Sequence, residues 1–381
     1  MKILVLMDSF KGSLTSTEAG EAVKRGILSS GIAADVSVYP FADGGEGTLD
    51  AFLKADPHGR AVGVRVFDPL GRPVEASYGV LSDQSAVIEI AQAAGLCLLS
   101  EAERDPLLAT TRGVGQLIKH AATDGLRDFI ITLGGSATND CGIGMLSVLG
   151  VRILDQSGQS VHDGALGLSE AAFIDCSGLL PALKDCRFTI ACDVKNPLFG
   201  ENGASRVFAP QKGASPDAVI KMDAWARDFA ALVKETRPFS DPFAKGAGAA
   251  GGLGFALQAF LGGIMQSGAE VLLGRTDIER EISRCDLVIT GEGKMDEQTA
   301  MGKAPVKIAK LAKKYGRRVI AIVGCVGKGS EKCLEAGIDR IVPALTSPVA
   351  DRRDLEKETA AGNVSRAACR AMQLTDTEEL S

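Results

Sequence analysis

Residues 2–7 read Lys2-Ile3-Leu4-Val5-Leu6-Met7, and the polar loop Asp8-Ser9-Phe10-Lys11-Gly12-Ser13 follows at once. A short continuous apolar run is the pattern of a strand buried on both faces, as in a parallel sheet covered by helices. Thr15 to Ser29 then has helical spacing, with Thr15 or Ser16 as cap and Glu18 in the first turn. A second strand, Val36 to Tyr39, leads into Ala42-Asp43-Gly44-Gly45-Glu46-Gly47-Thr48 and another helix. Strand, loop, helix and strand at this spacing make βαβ grammar.

The texture changes near residue 60. Val62, Val64 and Val66 alternate with other residues, Asp68-Pro69-Leu70-Gly71 makes a turn, and Val74, Ala76, Tyr78 and Val80 alternate again. This predicts an antiparallel hairpin. Helical and strand segments then mix to about residue 237, including strands at Phe129 to Leu133 and Phe188 to Cys192. Arg237-Pro238-Phe239-Ser240-Asp241-Pro242 reads as a linker, because its two prolines stop a helix. Beyond it the βα alternation returns, with strands at Leu287 to Thr290, Val319 to Val323 and Ile341 to Leu345. A helix is expected at Pro305 to Lys314, and a final amphipathic helix after Asp351. The expected fold is α/β. A parallel, Rossmann-like three-layer sheet is built from residues 1–60 and 240–381, and a mixed-sheet domain is inserted at 61–239.

Composition narrows the function classes. A chain of 381 residues suits two domains, and 45% hydrophobic with 24% charged residues is globular. The net charge of −6 repels phosphate backbones and anionic lipid, so no nucleic-acid or membrane partner is expected. Nine scattered cysteines without a C-x-x-C pair read as reduced thiols in a cytoplasmic protein, not as structural zinc ligands. Asp8 comes too early for a signal-peptide apolar region. The uncharged stretch Gly246 to Ala269 contains eight glycines and is too thinly apolar to span a membrane. Glycine itself is in excess, 45 residues where about 7% is usual, which points to turns and close backbone approaches.

In open parallel sheets, ligands bind beyond the carboxyl ends of the strands. Five strand ends here deliver carboxylates: Asp8 with Lys11, Asp43 with Glu46, the loop Gly134-Gly135-Ser136-Ala137-Thr138-Asn139-Asp140, Asp193 with Lys195, and Glu292 with Lys294 and Asp296. Any one of them alone reads as a helix cap. Together they suit Mg²⁺ and a polyphosphate, with hard oxygens for the metal and lysines for developing charge. Gly134 to Asp140 suits phosphate especially, since glycines let backbone N–H groups point outward and a helix start follows. Gly246, Gly248 and Gly251 satisfy G-x-G-x-x-G, but no strand precedes them, so the expectation is an anion-binding glycine loop or close helix packing. His58, His120 and His162 lack nearby nucleophiles, and no G-x-S-x-G is present.

Taken in order, Asp8 to Ser13, Ala42 to Thr48, Thr110 to Gly115, Gly134 to Asp140, Ala191 to Leu198, Pro210-Gln211-Lys212-Gly213-Ala214, Gly246 to Gly254 and Gly291 to Asp296 resemble the type I glycerate kinases. The resemblance runs from residue 1 to about 372 and is far more specific than any single motif. It implies phosphorylation of D-glycerate by ATP with Mg²⁺, favouring 2-phospho-D-glycerate, in two unlike α/β domains with a cleft between them. On this reading Asp8, Lys11 and Asp193 are catalytic, Lys11 serving the transferred phosphoryl and Asp8 or Asp193 the base. Asp43, Glu46, Arg112 and Asn139 bind substrate, with Arg112 on its carboxylate. Gly134, Gly135, Ser136, Thr138, Gly248, Gly251 and Lys294 bind the nucleotide, and Glu292 and Asp296 hold the metal. The competing readings are an NAD-dependent hydroxy-acid dehydrogenase, resting on the Gly246 loop, and a non-catalytic sugar-acid sensor. No exposed apolar stripe fixes an oligomeric state, so a homodimer stays open.

Overall fold

The computed structural model describes residues 1–42, 44–345 and 355–378. It divides into two compact units. One comprises residues 1–43, 50–57 and 269–381, and the other residues 44–49 and 58–268.

The first unit is a five-stranded, wholly parallel sheet in the order Arg340–Pro343, Arg318–Val323, Leu287–Gly291, Lys2–Met7, Asp35–Pro40. The opening strand therefore sits between a late strand and its own sequence neighbour, in register from Ile3 on Leu287 to Met7 on Gly291. Ile3 to Met7 are all buried, as a strand covered on both faces requires. Ile3, Val5 and Met7 share a core with the helices Ser16–Ser29 and Lys357–Glu378. These two helices touch at Gly26, where an added Cβ would lie 2.1 Å from the Ser365 carbonyl. On the Leu4 and Leu6 face, helix Ala304–Lys314 packs on the central strands. Thr15 caps the first helix in a capping box. Its hydroxyl accepts from Glu18 N–H at 3.2 Å, and the Glu18 carboxylate accepts from Thr15 N–H at 3.0 Å.

The second unit holds a six-stranded mixed sheet, in the order Ile264–Gln266, Arg187–Ala191, Asp128–Thr132, Ser85–Glu89, Pro73–Val80, Arg60–Phe67. The first four strands run parallel, and the last two form the expected antiparallel hairpin. Its turn is fixed by Asp68, which accepts from Leu70 N–H and Arg72 N–H at 2.8 Å each.

The boundary expected at residue 240 is corrected to 268. Pro238 and Pro242 do end the helix Pro216–Thr236, but the chain stays in the same unit. Leu198 N–H donates to Pro242 O at 2.8 Å. Helix Leu253–Leu261 then buries Leu253, Phe255, Leu257 and Phe260 in the second unit's core, and Ile264–Gln266 adds a strand to its sheet. Gly44–Leu49 likewise belongs to this unit. Among the described residues, no helix is long and apolar enough to cross a membrane.

Candidate active site

In the second unit the parallel register aligns the strand ends. Glu89 lies beside Thr132, Thr132 beside Ala191, and Ala191 beside Gln266. The loops that leave these ends therefore emerge along one sheet edge, where open α/β sheets bind ligands. Gly44–Leu49 is fastened to that edge. Gly134 N–H donates to Gly44 O at 2.9 Å, and the buried Glu89 carboxylate accepts from Gly47 N–H at 3.2 Å and Leu49 N–H at 2.9 Å. The backbones are too close for side chains, since a Cβ on Gly134 would stand 2.3 Å from Gly45 Cα. Glu46 extends beside Gly135, whose backbone has φ +73° and whose added Cβ would come within 2.9 Å of Glu46 Oε1.

Gly134 to Asp140 is the centre of this edge. Asn139 donates through Nδ2 to Ser205 Oγ at 2.9 Å, while its Oδ1 and the Thr138 Oγ1 are buried without a hydrogen-bond partner. Buried polar atoms left unpaired cost free energy, and they mark where a ligand's groups would complete the bonding. Asp140 is fully buried. It accepts from Thr111 N–H at 2.9 Å, Thr111 Oγ1–H at 2.8 Å, Gly142 N–H at 3.0 Å and Gly144 N–H at 3.3 Å. Desolvation raises its pKa against those bonds. Through Thr111 it seats the start of helix Arg112–Thr123, and so places Arg112 near the loop. Arg112 also pairs with Asp163 at 3.3 Å, both side chains being partly exposed. Asp193 follows the strand Arg187–Ala191, on whose last carbonyl Gly44 rests.

Gly248 and Gly251 have a packing role in the structure. Gly248 N–H donates to Asn196 O at 2.9 Å, and a Cβ on Gly251 would lie 2.1 Å from Thr138 O. Their loop thus supports the Gly134–Asp140 loop from behind. No strand leads into it, so the dinucleotide fingerprint lacks its required context.

The first unit carries a second cluster, at the ends of the adjacent strands Lys2–Met7 and Leu287–Gly291. Asp8 N–H donates to Gly291 O at 2.9 Å, and Asp8 Oδ1 accepts from Ser9 N–H at 2.6 Å. Lys11 is exposed on the turn between buried Phe10 and Leu14, and a Cβ on Gly293 would lie 3.3 Å from Phe10 Cα. Glu292 is buried and accepts from Thr299 Oγ1–H at 2.5 Å. The same Thr299 oxygen accepts from Asp296 N–H at 3.1 Å, which ties the two acidic residues together. Asp296 caps the helix Glu297–Ala300 and pairs with Lys294 at 3.3 Å. Asp8, Lys11, Glu292, Lys294 and Asp296 are thus brought together, whereas Asp43 lies outside the described residues.

Three contributors were given no role of their own from the sequence: Glu89, Asp140 at the end of the Gly134–Asp140 loop, and Lys212 in the Pro210–Ala214 segment. Lys212 is 3% exposed and donates to Ser136 Oγ at 2.9 Å and to Thr138 O at 2.6 Å. A lysine in a Pro-Gln-Lys-Gly turn ordinarily points to water, so only the apolar run around Glu89 offered any signal of buried charge here. Burial pushes the Lys212 ammonium down to about 7, and the Asp140 charge only partly opposes it. The sign for stability follows from proton binding. Between about pH 7 and 10 the unfolded chain keeps a proton on this lysine that the folded chain has lost, so stability rises with pH across that window. Urea midpoints at pH 7 and 9.5 check this: Lys212→Met is expected to flatten the rise, and an unchanged slope would count against it.

The model of the glycerate kinase family matches residues 3–376. The chain is 43% identical to Escherichia coli K12 glycerate 2-kinase over 348 residues, 91% of each chain. It is 44% identical to the Bacillus subtilis 168 glycerate kinase over 350 residues, 92% of this chain and 91% of that one. A crystal structure from Salmonella typhimurium LT2, of a protein designated a candidate glycerate kinase 2, superposes with a TM-score of 0.83 at 40% identity, covering 100% of both chains.

Proposed function

The chain belongs to the glycerate kinase family and is a kinase of that kind, and on this premise we propose that it phosphorylates D-glycerate at the 2-hydroxyl with ATP. The observation that carries the reading is the second unit's sheet edge, where Glu46 lies beside the glycine loop, Asp193 follows the neighbouring strand, and Thr138 and Asn139 of the loop hold unpaired buried oxygens. A hydroxylated anion offers donors and acceptors that complete such a set. Neither competing reading gains from it: the fingerprint glycines pack on backbone, and an anion sensor gains nothing from adding carboxylates.

In the reaction, the oxygen–phosphorus bond to glycerate forms as the bond from the γ-phosphorus to the ADP oxygen breaks. ADP keeps that electron pair, and the hydroxyl proton passes to a carboxylate. Asp193 is assigned as that base and Arg112 as the partner of the glycerate carboxylate, a pairing that suits a guanidinium. Lys11 is assigned to the transferred phosphoryl oxygens. Glu292 and Asp296, tied by Thr299, offer hard oxygen donors that fit Mg²⁺. Among the described residues there is no group of three or more His, Cys, Asp or Glu that could hold a metal ion. When bound, that ion would offset charge on the phosphoryl oxygens.

The relative named glycerate 2-kinase favours the 2-position. Proton-coupled phosphorus NMR of the product from ATP and D-glycerate tests it. A phosphorus on the 2-oxygen couples to one C–H proton and gives a doublet. A triplet would move the assignment to the 3-position, and absence of ADP would remove the activity altogether.

A further inference from the structure

Lys212 occupies a place where charge is expensive. Desolvating an ammonium costs several kcal/mol unless hydrogen bonds and an opposite charge repay it. The loop it supports is already pinned through Asp140 and through Gly251 behind it, so a cation is not needed merely to hold that backbone. What the Lys212 amine does to Ser136 is more specific. A hydroxyl has one proton to give and two lone pairs to receive with. Ser136 Oγ receives from Lys212 Nζ at 2.9 Å, and among the described residues nothing accepts the Ser136 proton. A hydroxyl whose lone pair is engaged by a donor is polarised and becomes a better donor in turn. Ser136 also lies two residues before Thr138 and three before Asn139, whose side chains hold the unpaired buried oxygens.

We propose that Lys212 is a positioning residue for phosphoryl transfer, fixing and polarising Ser136 so that its hydroxyl donates to an oxygen of the phosphoryl group in flight. This rests on the kinase reading given above. Negative charge on those oxygens is shared differently as the bond to ADP breaks and the bond to the glycerate oxygen forms. A donor aimed there acts on kcat more than on KM.

The test is a double-mutant cycle read by steady-state kinetics with ATP and D-glycerate. Ser136→Ala and Lys212→Met are each expected to lower kcat by about 10²-fold, the usual effect of losing one such donor. Both KM values should change less than about 3-fold. Because the two residues act as one unit, the double variant should fall little below the singles. Ser136→Thr, which keeps the hydroxyl, should recover most of the loss. A purely structural Lys212 would instead give additive losses, or leave Ser136→Ala at wild-type turnover, and either result overturns the proposal. So does a rise in the KM for glycerate with kcat intact, which would assign the hydroxyl to substrate binding. Should Lys212→Met not fold, the contrast between Ser136→Ala and Ser136→Thr decides alone. An inactive wild-type chain would instead remove the kinase reading, so the two failures are distinguishable.

Discussion

Lys11→Met is expected to lower kcat by about 10²- to 10³-fold while leaving thermal stability unchanged. The turn that presents this lysine is built without it. Phe10 N–H donates to Leu14 O at 2.8 Å, Ser13 N–H donates to Phe10 O at 2.8 Å, and the Phe10 and Leu14 side chains are buried. Lys11 itself is exposed and forms no ion pair among the described residues. A rigid turn that ends in an uncommitted cation suits a charge kept for a ligand. Methionine retains the length of the stem and removes only that charge. ADP release under saturating substrates, alongside a melting curve, separates the two effects. Near-wild-type turnover would sink the assignment, and a large drop in melting temperature would show that the turn needs its lysine.

The second large effect falls on stability. Asp140→Ala is expected to cost about 3–5 kcal/mol in the second unit, the range for removing one member of a buried charged network. The loss strands the N–H groups of Thr111, Gly142 and Gly144 together. Lys212 is left buried with its facing charge removed. Denaturation in urea, followed by a probe in that unit such as the fluorescence of Trp225, measures it directly. A change below about 1 kcal/mol would mean that solvent reaches the network and re-pairs its donors. Asp140→Asn keeps the shape and one acceptor oxygen, so its cost should be smaller.

Much of this architecture was legible in the residues. The all-apolar run at Ile3 to Met7 can be satisfied only by burial on both faces, and the alternation from Val62 to Val80 only by a half-exposed hairpin. Both follow from local period. The polar residues directly after the strands were also legible, because a strand's end is visible where its apolar run stops. The domain boundary was not. Pro238 and Pro242 end a helix for reasons of backbone chemistry, yet whether the chain then leaves the domain depends on long-range packing by Leu253, Phe255 and Ile264. Lys212 and Glu89 were hidden for a related reason. Their burial is created by segments distant in sequence, and beyond the apolar run around Glu89 nothing within a few residues reveals it. The Gly246–Gly254 loop shows the converse: its glycines announce close approach, but only the fold tells that the backbone at Thr138 is what approaches Gly251.

The Leu6 carbonyl and the Thr290 hydroxyl that bonds it are 284 residues apart. At ribosomal speeds of about 5–20 residues per second, the opening strand is made roughly 15–60 s before its central partner exists. Throughout that interval Ile3 to Met7 have only Asp35–Pro40 to pair with, leaving an apolar strand with an open edge. The second unit meets no such delay, since all its strands lie between residues 60 and 266. Synthesis therefore imposes an order of assembly in which the strand Lys2–Met7 is made long before it is sheltered. The stretch Ile3 to Met7 is where protection by a chaperone would matter most.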